Sequence, residues 1–204
     1  MTKSFWVEIA STEKKREVLP AKTYLGICYS IIDLWTHDEN FQWTINSLRK
    51  IKITWELPNE KRVFKKDEAE KPMVLSKDYT LSFGEKANLK KMFDSRGVKI
   101  EKNFEFSTLL GKPALLSVGL TEAKNGNQYN NINGVSDILD GMKVPKQVNE
   151  NVLFNCYNFD MDEWNKVNEW TQKIIKESDE RSNIYDKFFN DEAPKAKSDD
   201  DYPF

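Results

Sequence analysis

Residues 49–57 read RKIKITWEL. Ile51, Ile53, Trp55 and Leu57 alternate with Lys50, Lys52, Thr54 and Glu56. Successive side chains of an extended chain point to opposite faces, so this spacing predicts a half-buried β-strand. Its apolar face belongs to a core and its other face carries lysines. Four neighbouring stretches repeat the pattern. TYLGICYSIIDL (23–34) puts Leu25, Ile27, Tyr29 and Ile31 on one side, and MVLSKDYTLSF (73–83) does the same for Lys77, Tyr79, Leu81 and Phe83. PALLSVGLTEA (113–123) aligns Ala114, Leu116, Val118 and Leu120. KNGNQYNNINGVSDI (124–138) opens with Asn125-Gly126, a pair that favours a tight hairpin turn.

One stretch breaks this series. In SFGEKANLKKMFDSRG (82–97), Leu89 and Phe93 sit at helical spacing and Gly97 is a natural stop. Five strands with a short helix between the third and fourth is the element order of the OB-fold, a barrel that hides its strand edges by closing on itself. The expected fold class is therefore mainly β, with an OB-fold barrel over residues 1–145. A helical extension is expected over 146–189. There FDMDEWNKVNEWTQKIIKES carries a stripe of Trp164, Val167, Thr171, Ile174 and Ile175, with Asp160 and Asp162 at its start. This stripe packs on the barrel or forms a homodimer contact. From Asn190 onward, Asp, Ala, Pro, Lys and Ser predict a disordered tail over 190–204.

Composition narrows the functional classes. No apolar run approaches membrane-spanning length, and the first twenty residues lack the apolar core and small-residue cleavage site of a secretory signal. Cys28 and Cys156 lie far apart, as reduced buried thiols do. His37 is the one histidine, which argues against zinc, and neither a metal nor any other cofactor is expected. There is no phosphate-binding loop and no nucleophile elbow. Asp33, Asp38 and Glu39 lie close together, so a carboxylate-metal nuclease stays open as a minor reading, although acids in such stretches are usually solvated. An enzyme is not expected.

What remains is aromatic and basic material interleaved. The candidate DNA-binding residues are Trp35, Trp43, Arg49, Lys50, Lys52, Lys77, Tyr79, Lys112 and Tyr129. Aromatic rings stack on any base and Lys or Arg track phosphates, which describes binding to single-stranded nucleic acid without sequence readout. Trp35 and Trp43 occupy the polar stretch DLWTHDENFQWTINS (33–47), where a strand-joining loop is expected to touch the ligand. Each is either a stacking ring or a loop anchor. Trp55, in phase with Ile51 and Ile53, is assigned to the core.

The chain ends DDDYPF, from Asp199 to Phe204. Residues 190–204 hold five acids and two bases, a charge of −3, so with −2 overall the rest of the chain carries +1. The ending resembles the acidic tip of bacterial single-stranded-DNA-binding proteins, with Tyr202 where isoleucine is usual and Pro203 and Phe204 matching. LPAKTYLGICYSIIDL, KIKITWELP, KPMVLSKDYTLS, GKPALLSV and YNNINGVSDI resemble a family of phage-encoded single-stranded-DNA-binding proteins. Lys22 and Trp35 stand where that family usually has glycine.

The resemblance implies a protein of phage DNA replication, recombination and repair, in the cytoplasm of the infected bacterial host, away from membranes. It implies that Asp199, Asp200, Asp201, Tyr202, Pro203 and Phe204 dock on replication or recombination proteins. Phe204 would supply the apolar plug and the acids steering toward basic pockets. The alternative is a protein-interaction module that imitates the host tip and diverts host replication proteins.

Overall fold

The computed structural model describes residues 18–41, 43–64, 69–101, 104–155 and 157–179. The tail 190–204, with its proposed docking tip, lies outside these, as does Cys156. Six strands are described: β1 (Lys22–Phe41), β2 (Thr44–Arg62), β3 (Lys71–Thr80), β4 (Pro113–Glu122), β5 (Gln128–Ser136) and β6 (Val152–Phe154). Helix α1 (Asn88–Ser95) lies between β3 and β4, and α2 (Met161–Lys166) and α3 (Glu169–Lys176) follow β6. The sheet order is β3-β2-β1-β4-β5 with antiparallel neighbours, and β6 runs parallel to β1. The fold is mainly β, as the alternation predicts.

The sheet is not closed by strand pairing. Its free edges are β3 and β5, and α1 packs against both. Leu89 and Phe93 of α1 are fully buried, and Gly97 ends the helix at φ 63°, a conformation glycine adopts without steric cost. The ammonium of Lys77 on β3 reaches the carbonyl oxygen of Ile132 on β5 at 2.6 Å. Helix and lysine span the place where a backbone ladder would close a barrel.

β2 buries Ile51, Ile53, Trp55 and Leu57, the four residues its spacing indicates. β1 departs from expectation. The residues it sends into the main core are Tyr24, Cys28 and Ile31, not a Leu25–Ile27–Tyr29–Ile31 face. Gly26 shares the inward side with Tyr24 and Cys28, because the core closes over it. A Cβ there would lie 2.7 Å from Leu116 Cδ1 and 3.1 Å from Trp55 Cβ. A bulge between Cys28 and Ser30 then reverses the alternation. β1 is also covered on its outer side, so Ile27 and Ile32 are buried too. Burial pushes the Cys28 thiol up to about 12, which keeps it protonated.

The outer cover comes from the C-terminal part of the chain. Glu56 on β2 is fully buried and accepts hydrogen bonds from Val148 N at 2.8 Å, Asn149 N at 2.8 Å and Asn149 Nδ2 at 2.6 Å. Beyond this anchor, β6 pairs with Ser30–Ile32 of β1. Ile32, Leu34 and Trp35 then form a second core with Phe154, Trp164, Val167 and Ile175. The expected single C-terminal helix is two, broken at Val167. Asp160 caps the first and Asn168 the second, accepting from Glu163 N and Thr171 N.

Replacing Glu56 with alanine removes the acceptor for three N–H donors and is expected to cost about 3 kcal/mol in urea unfolding. Amide exchange at 147–154 should rise with it. A Gly26→Val protein should lose at least as much stability, through overpacking against Leu116 and Trp55. Unchanged unfolding midpoints in both would contradict the packing described.

Candidate nucleic-acid interface

Beyond Trp35, β1 and β2 leave the body as a two-stranded arm. The pairing runs from Thr36↔Arg49 to Phe41↔Thr44, with Trp43 at the turn. At strand rise the arm projects by about 17 Å. Asp38, Glu39, Asn40 and residues 43–47 are exposed. Trp43 sits at the tip, 98% exposed, with φ 68°. A left-handed backbone costs a bulky residue on the order of 1–3 kcal/mol, and an open indole gains nothing from burial. The region read from sequence as a loop is an ordered hairpin that displays one large ring.

The other candidates separate into those on the surface and those inside. Trp35 is a correction: it is fully buried in the second core and is not a stacking ring. A second bulge, between Asp33 and Trp35, turns it onto the outer face at φ 67°, where β6, α2 and α3 enclose it. Tyr79 is also a correction. It pairs opposite Ile51 on the inward side, lies in the main core, and burial raises its phenol pKa. Lys77 is half-buried, bonded to Ile132 and held 5.4 Å from the Tyr79 ring centroid, and burial lowers its pKa. It joins two sheet edges instead of standing open to phosphate. Beside it a cleft of about 410 Å³ is lined by Lys77, Tyr79, Lys91, Ser95, Asn133 and Gly134.

Arg49, Lys50 and Lys52 follow one another at the base of the arm, each beside a carboxylate, with Arg49 on the strand face opposite Lys50 and Lys52. Lys50 and Lys52 point outward, as predicted, and pair with Glu39 and with Asp78, the latter at 2.8 Å. Arg49 grips Asp33 with two nitrogens, Nε at 3.2 Å and Nη2 closer. Asp33 also accepts from Trp35 N at 3.1 Å, so one buried carboxylate ties the bulge to the arm. The lysine side chains are partly covered, 21% and 14% exposed, while Glu39 and Asp78 are open to solvent, so a phosphate would reach each ammonium by displacing an exposed acid. Asp38 accepts from Ser47 Oγ at 2.6 Å. Thus Asp33, Asp38 and Glu39 each have a separate partner, and among the described residues no group of three His, Cys, Asp or Glu could hold a metal ion.

Lys112 and Tyr129 are exposed but lie apart. Lys112 precedes β4, while Tyr129 pairs with Thr121 near its far end, about 30 Å away along the strand. Sequence reading passed over Tyr157. The residue is 82% exposed and its ring stacks on the Arg49 guanidinium, 4.4 Å from Cζ to centroid. The one local signal was an aromatic residue in an Asn-rich segment, NCYNFD.

The chain matches no known family model and no curated protein.

Trp35 and Trp43 give opposite expectations. Trp35→Ala should cost about 3–5 kcal/mol of unfolding free energy. Trp43→Ala should change stability by less than about 0.5 kcal/mol. Denaturant melts of the two variants decide between core and display.

Proposed function

We propose that the protein binds single-stranded DNA without reading sequence, in phage replication or recombination, and recruits partners through its C-terminal tip. The observation that carries this reading is Trp43, a nearly fully exposed indole on an ordered arm with Arg49, Lys50 and Lys52 at its base. Stacking supplies about 1–3 kcal/mol per base and cations follow the backbone. The strand order β3-β2-β1-β4-β5, with α1 between β3 and β4, supports an OB-type barrel whose last seam is bridged by Lys77 and α1. In that architecture the segment between the first two strands faces the ligand, which is where the arm stands. No helix among the described residues is long and apolar enough to cross a membrane. The binding needs no cofactor and no bond chemistry.

The pairing of Arg49, Lys50 and Lys52 with Asp33, Glu39 and Asp78 favours the other reading, an interaction module without affinity for nucleic acid.

Titration with poly-dT is expected to quench tryptophan fluorescence, with affinity falling as salt rises. In Trp43→Phe most of the quench should vanish while binding persists. In Trp43→Ala the affinity should drop by about 5- to 100-fold. The absence of any quench or gel shift at low salt rejects the DNA-binding reading; client binding that needs the tail but no oligonucleotide then selects the interaction module.

Deletion of Asp199–Phe204 is expected to abolish partner recruitment and leave DNA affinity equal or higher. The acids Asp199–Asp201 would compete with DNA for the cations of the body, so weaker DNA binding by the truncated chain would contradict that competition.

A further inference from the structure

We propose that Tyr157 is a second stacking platform, positioned by Arg49, and that a strand bound at Trp43 continues down the arm to place another base on it. This rests on the single-strand-binding reading above and adds a site to it.

Tyr157 is held by two neighbours, Arg49 and Asn155. Its ring lies against the Arg49 guanidinium at 4.4 Å, and its hydroxyl accepts from Arg49 Nη1. Its own N–H and that of Asn158 donate to Asn155 Oδ1, at 3.1 and 2.9 Å, which shapes the turn that presents it. Arg49 is itself held by Asp33, whose carboxylate is buried at the β1 bulge. The chain of contacts runs from a rigid strand through a carboxylate and a guanidinium to an aromatic ring.

The residue is nonetheless 82% exposed. The Arg49 contacts remove rotamer freedom before any ligand arrives, so a base that stacks there loses less entropy on binding. The guanidinium beneath also places a positive charge beside the phosphates of whichever nucleotide stacks above. Arg49 therefore acts as a positioning residue for the ring, and Asp33 as its anchor.

The test uses the full chain and a labelled oligo-dT of about 15 nucleotides, within the usual span of one such fold. Anisotropy titrations at low salt compare the native protein with Tyr157→Ala and Tyr157→Phe. Tyr157→Ala should weaken binding by about 5- to 100-fold, and Tyr157→Phe, which keeps the ring, by no more than about threefold. Irradiating the native protein on a 5-iodouracil oligonucleotide should crosslink the peptide containing Tyr157, a readout that a purely bracing role would not produce. Native binding with an unaffected Tyr157→Ala and no crosslink at Tyr157 overturns this inference alone. A native protein that binds no oligonucleotide overturns the single-strand reading and this inference together.

Discussion

β1 has to serve two cores at once, and the rest of the molecule follows from how it does so. It pairs with β2 along one edge and with β4 and then β6 along the other. Its two bulges, at Cys28/Ser30 and Asp33/Trp35, rotate the side chains that follow. Tyr24, Cys28 and Ile31 enter the main core, while Ile32, Leu34 and Trp35 enter the outer one. A regular strand could not make that change of face, because its period of two holds each residue type to one side. The bulged strand is also where Asp33 meets Arg49, so the geometry that joins the two cores sets the base of the arm.

The C-terminal segment is an integral part of this arrangement. Glu56 is buried on a face that would otherwise be wet, and three N–H donors from Val148 and Asn149 satisfy it. A buried carboxylate without such partners would be strongly unfavourable. The segment and the anchor are thus mutually dependent, and together they bring β6, α2 and α3 onto β1. The same cover leaves the Lys50, Lys52 and Asp78 side of β2 and β3 polar and the arm free of apolar packing.

For the proposed binding function, the consequence is a division of labour. Rings that face inward, Trp35 and Tyr79, build the cores. Rings at the end or base of the arm, Trp43 and Tyr157, are open to solvent. The cations between them are each engaged with a carboxylate, so the surface is locally neutral until a polyanion displaces the acids. Such a surface favours contacts by stacking and makes any binding sensitive to salt through Lys50 and Lys52.

Local pattern was enough for β2, for the inward Ala114, Leu116 and Val118 of β4, for the Asn125-Gly126 turn and for α1 with its Gly97 stop. In these strands and the helix the core-facing positions are apolar and the others mostly polar, so the period shows in the residues themselves even where the C-terminal segment covers Thr54 and Glu56, and the turn shows because its glycine takes φ 80°. The outward direction of Lys50 and Lys52 followed for the same reason. β1 was misread because both its faces are buried and Gly26 occupies an inward position, which erases the alternation. The opposite fates of Trp35 and Trp43, eight residues apart in one polar stretch, depend on a bulge and on helices more than a hundred residues later. Tyr157 and Glu56 were likewise invisible, since their surroundings come from segments distant in the chain. Composition and spacing report what a residue can do; only the folded chain sets which neighbours it meets, and burial is a property of those neighbours.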